Sequence, residues 1–235
     1  MTSQKQNKFF SAILAFGLIA TITSCSSDDP VDIVQEGIQK AELTFTEVTG
    51  AGVYPHGDHF HGLADATDGA AQVVTFNAQG EATANGHLHL DAEAVYRLDL
   101  KAWDHTGHEV TADFIATEAA AANYKAFLIG GDYILNSNTT DESGAIFQPR
   151  ETLYGDGTAV TGLGGRGTTG VLSYFGIGHS NVANTRDVTF ILRKLQTGVK
   201  ENITRLDWNR SDYAATFAGE NVLELKFEIH AEHNH

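Results

Sequence analysis

From residue 41 onward, apolar and polar side chains alternate with a period of two over short stretches. That is the pattern of strands with one face in a core and the other in solvent. Strands are predicted at residues 41–46, 72–77, 87–90, 96–102, 124–129, 170–175, 187–193 and 221–229, where the pattern is mostly of this kind. The last is the most regular. Leu223, Leu225, Phe227 and Ile229 take one parity, and Glu224, Lys226, Glu228 and His230 the other. Residues 79–81 read as a turn, and 136–144 and 155–170 as loops. Residues 113–122 depart from the pattern: Glu118 and a run of alanines predict a short helix there. About eight to ten short strands with glycine-rich turns predict an all-β, antiparallel immunoglobulin-like β-sandwich with one short helix, a barrel being the alternative. This domain is expected to span residues 41–235, since no shift in composition marks a second one.

One run breaks the alternation altogether. Residues 9–22 are nearly all apolar and follow Lys5 and Lys8. The run is too short and wrongly flanked to span a membrane and reads as a secretory signal. It closes on Ile22-Thr23-Ser24-Cys25, which resembles the lipobox of bacterial lipoproteins. The resemblance implies that residues 1–24 are a signal peptide and that Cys25 is the lipidation site. Residues 25–40 then form an acylated tether that holds the chain to a membrane without crossing it. Cys25 is the only cysteine, so the mature domain is expected to hold itself by its core alone. The acidic run Ser26-Ser27-Asp28-Asp29-Pro30 resembles the surface-export signal of Bacteroidota lipoproteins. It implies an outer-membrane, cell-surface location.

The chain carries a net charge of −15, and −17 once the leader with its two lysines is gone. This sign opposes nucleic-acid binding and suits the attraction of cations. The glycine-rich run at 155–170 lacks the Lys-Ser or Lys-Thr ending of a phosphate loop.

Histidine is where the chemistry concentrates. Ten of the eleven histidines fall into four clusters. His56, Asp58, His59 and His61 lie within six residues as H-x-x-H-x-H, and His230, His233 and His235 repeat that spacing at the end. His87 and His89 form an H-x-H pair, and His105 and His108 flank Thr106-Gly107. Neutral imidazole is the commonest protein ligand for zinc. Residues two apart on a strand share a face at roughly 6.5–7 Å, close enough to lean toward one ion. Gly57 lets the chain curl and bring His56 back to the face of His59 and His61. Phe60, Leu88 and Leu90 take the inward parity, so the neighbouring histidines are expected to face solvent. His105 and His108 read as solvated turn residues and His179 as a satisfied loop histidine.

The segment His56-Gly57-Asp58-His59-Phe60-His61 resembles the histidine triad of pneumococcal surface proteins, which implies a zinc ligand set. Residues 110–115, 124–129, 187–194 and 220–229 are similar to small Bacteroidota lipoproteins with an immunoglobulin-like sandwich. That resemblance implies a TonB-dependent outer-membrane receptor as partner. The expectation is a non-enzymatic surface lipoprotein that captures zinc, or a similar divalent metal, and passes it to such a receptor. Two rivals stand beside it. His87, His89 and Glu93 have the ligand spacing of the first cupin motif, without its later glycine, and would make a metalloenzyme. A structural or adhesive module with incidental histidines is the other.

Overall fold

The computed structural model describes residues 37–161, 167–182 and 185–233. The leader, Cys25, most of the tether and His235 lie outside the described residues. The described residues form twelve strands in chain order: β1 (Ile38–Thr49), β2 (Tyr54–His56), β3 (His59–His61), β4 (Thr67–Phe76), β5 (Ala82–Ala84), β6 (His87–Asp91), β7 (Val95–Asp104), β8 (Tyr124–Gly130), β9 (Ile146–Pro149), β10 (Leu172–Gly176), β11 (Thr185–Leu195) and β12 (Gly219–Glu232). They build a six-stranded sheet in the order β5-β4-β1-β7-β10-β9, a four-stranded sheet in the order β6-β12-β11-β8, and the β2-β3 hairpin. The first strand begins at Ile38, inside the stretch assigned to the tether.

The expected all-β sandwich is the architecture found, and its period-two pattern works as read. In β12, Leu223, Leu225, Phe227, Ile229 and Ala231 are buried while Glu224 and Lys226 are exposed. The inner faces of the two sheets meet through aromatic rings. Phe227 of β12 packs edge-on against Phe45 and Phe76, with ring centroids 5.7 and 6.1 Å apart. Trp208 is wedged between Phe147, Phe175 and Tyr133. Each fully buried ring of this kind stabilises the fold by roughly 1.5–3 kcal/mol.

Three features differ from the expectation. The helix predicted at 113–122 is split into a 3-10 turn, Thr111–Ile115, and one α-turn, α1 (Glu118–Ala121). Thr117 causes the break: its backbone is extended, and its side chain accepts the Ala120 N–H as an N-cap. A second short helix, α2 (Tyr213–Thr216), follows Trp208. More consequential is the β6–β12 ladder, which is parallel although the other strand ladders among the described residues are antiparallel. It places His87 beside Glu228, His89 beside His230 and Asp91 beside Glu232.

Candidate metal centre

The parallel ladder makes a row of donors. Leu88 and Leu90 are fully buried, which turns His87 and His89 outward. Ile229 and Ala231 do the same for Glu228, His230 and Glu232. One Glu228 carboxylate oxygen lies 2.7 Å from His87 Nδ1 and also bonds His230 Nε2. The ligand atoms of His87, Glu228 and His230 all lie within 4.8 Å of one another. They are the set of three among the described residues that meets this spacing. His230 Nδ1 lies 3.2 Å from the Thr185 hydroxyl, an outer contact that fixes which nitrogen faces Glu228. His89 stacks on His230 at 4.8 Å, and its Nδ1 lies 2.6 Å from Glu232.

The hydrogen bond from His87 holds the Glu228 carboxyl below the usual carboxylate range, and His230 adds to this. Glu228 is therefore an anion at neutral pH. Two imidazoles and one carboxylate, with no thiolate, suit zinc and similar divalent ions. His87 and Glu228 also line an open groove of about 600 Å³, together with Lys226, Asp187 and Gly130. A cation held by three protein groups there keeps a position open to solvent, unlike a closed four-ligand structural site.

The second histidine group sits on the β2-β3 hairpin. Gly57 has φ 57° at the first position of its two-residue turn, the place where a II′ hairpin needs glycine. His56 pairs with His59 across the strands, and Tyr54 with His61. Buried Phe60 pins the hairpin onto Val48, Val95 and Ile146, which lifts the histidines to the outer face. The ring centroids of His56, His59 and His61 are 4.8–5.7 Å apart, and Tyr54 stacks on His61 at 4.9 Å. Asp58 is engaged twice: its Oδ1 lies 2.9 Å from His59 Nδ1 and accepts from the Arg205 guanidinium at 3.3 Å.

The histidines thus regroup relative to their sequence clusters. His230 leaves the terminal trio and joins His87 and His89. His233 stands 3.9 Å from Glu93, and so does His179, which also lies 3.7 Å from Asp141. His179, read as a satisfied loop residue, sits between these two carboxylates. Glu93 directs its carboxylate toward His179 and His233, so the cupin-spaced trio of His87, His89 and Glu93 forms no common ligand set. His105 and His108 are exposed in a turn organised by the Asp104 carboxylate, as expected. Two carboxylates were missed as donors: Glu228 and Glu142, the latter 3.5 Å from His56 Nδ1. Glu228 had a signal, being two residues before His230 on the same outward parity. Glu142 had none, because 85 residues separate it from the turn it contacts.

Comparison with protein families, characterised proteins and solved structures finds no match to this chain.

Proposed function

We propose that this chain is a membrane-anchored surface lipoprotein that binds zinc, or a similar divalent cation, and passes it to a TonB-dependent outer-membrane receptor. The observation that carries the metal half is the convergence of His87, Glu228 and His230 from two strands distant in sequence. Three donors, an open fourth position and an acidic chain describe a site that loads and releases its ion. The anchor and the receptor rest on Cys25, the acidic run after it and the lipoprotein-like strands of the sequence.

Zinc titration of the untagged mature protein by calorimetry tests the site. His87→Ala and His230→Ala are each expected to weaken the ladder site by about tenfold or more, as loss of one of three ligands requires. Unchanged affinity in both variants removes it. Normal growth of a deletion strain under zinc starvation removes the delivery half. The same open position favours a second reading, a metal-dependent hydrolase. Ester or phosphoester turnover that needs zinc and vanishes in His87→Ala selects it.

A further inference from the structure

Glu142 is one of three non-glycine residues with positive φ among the described residues, at 58°. A side chain holds that conformation where its surroundings over-determine it, and such residues concentrate at functional sites. The surroundings here are specific. Glu142 Oε2 accepts the Gly57 N–H at 2.7 Å and also the amide of Asn136. Asn136 is 2% exposed and is itself fixed, donating to the Gly57 carbonyl at 3.0 Å and accepting the Gly144 N–H at 2.9 Å. The carboxylate is therefore held against the hairpin turn by one oxygen. The other, Oε1, faces His56 Nδ1 at 3.5 Å.

We infer that His56, His59, His61 and Glu142 form a second divalent-cation site, distinct from the ladder site, with Glu142 rather than Asp58 as its carboxylate. Three imidazoles bound to one ion at about 2.0–2.1 Å put their ring centres about 5 Å apart. The three separations here are 4.8, 5.4 and 5.7 Å. Rotation of an imidazole about its Cβ–Cγ bond re-aims its nitrogens while the ring centre barely moves. The His56 side chain is 62% exposed and free to turn in this way. Asp58 serves differently. Already bonded to Arg205, it takes His59 Nδ1 and leaves Nε2 for the ion, the usual work of an outer-shell carboxylate. A cation bound there ties the hairpin to the loop that carries Glu142. Three imidazoles and one carboxylate suit zinc and its first-row neighbours copper and nickel rather than magnesium or calcium.

This inference rests on the metal-handling reading but uses no residue of the ladder site, so the two fail separately. The experiment is zinc calorimetry on the mature protein carrying His87→Ala and His230→Ala. About one equivalent is expected to remain bound. Adding Glu142→Gln, which keeps an acceptor for the Gly57 N–H, weakens it by about tenfold or more. Adding Asp58→Asn instead, which keeps an acceptor toward His59 and Arg205 and removes no ligand, is expected to weaken it clearly less than Glu142→Gln does. Thermal melts of the zinc-free variants that match the parent show that the fold is kept. If the parent protein binds zinc and the ladder variant binds none, the inference is overturned while the proposed function stands. Asp58→Asn as damaging as Glu142→Gln, or residual binding indifferent to Glu142→Gln, overturns the ligand assignment. Residual binding that needs Glu142 upholds it even where the ladder changes had no effect of their own.

Discussion

Glu228 shows how much one side chain decides. A single carboxylate oxygen sits between two imidazoles from different strands, and without it His87 and His230 would share no anionic donor. Glu228→Gln keeps the size and a hydrogen-bonding oxygen and removes the charge. Zinc affinity at the ladder is expected to fall by about tenfold or more, with the melting temperature of the zinc-free protein unchanged because Glu228 faces solvent. Calorimetry beside a melt separates the two effects. An equal affinity would mean that the cation is held by imidazoles elsewhere in the row. This residue was within reach of the sequence, since the alternation of β12 already placed Glu228 and His230 on one outward face. Its partner His87 was not, because no local pattern says which strand lies beside β12.

At the scale of elements, the boundary between legible and illegible runs along the same line. Apolar patterning located β1, β4, β6, β7, β8, β10, β11 and β12, because burial is written into each strand separately, but it did not show that β8 is covered on both faces, with Lys125 to Leu128 buried in succession. It did not say that β6 and β12 pair in parallel, since that register is a property of two segments 141 residues apart at His87 and Glu228. Nor did it show α1 cut short, where one Thr117 cap outweighs a run of alanines. The hairpin was readable in part: Gly57 was identified as the residue that lets His56 return. Gly62 was not, although the geometry depends on it as strongly. It sits at φ 70°, and a Cβ there would fall 1.9 Å from the Gly52 carbonyl oxygen. Gly62→Ala must therefore push the hairpin away from the 50–53 turn. The expected result is a loss of about 1–3 kcal/mol in urea unfolding, together with loss of zinc binding at the hairpin but not at the ladder. Retention of both would show that the hairpin can be re-seated without moving its three rings.

For the molecule as a whole, a cluster of buried charges belongs to neither histidine group. Lys125 and Lys200 are buried at 7% and 5% exposure, with Glu151 at 7%. Their ammonium groups reach carbonyl and hydroxyl oxygens: Thr168 for Lys125, and Ala121 with Thr169 for Lys200. Glu151 accepts the backbone N–H groups of Thr169, Gly170 and Leu172, so this cluster ties the end of the glycine-rich loop to the sandwich. Burial pushes Lys200 down to about 7, helped by the charge of Lys125, and pushes Lys125 down to about 8 against the pull of Glu151. In the unfolded chain both lysines keep their protons up to about 10.4. Between the folded and unfolded values the unfolded state binds more protons, so stability must rise with pH across that window. The stabilising contribution is complete above the unfolded value and is lost as pH falls through about 8 and then 7. The slope approaches about 1.4 kcal/mol per pH unit for each lysine. The urea midpoint of chelator-treated protein is therefore expected to climb from pH 7 to pH 9. Lys200→Met removes one buried charge and flattens part of that climb. A midpoint that is level or falling over the window would show that these ammonium groups are better solvated than their burial implies. Chelator treatment removes a second cause of pH sensitivity, since protons compete with a bound ion for its ligands; the climb read in metal-free protein is therefore not metal release.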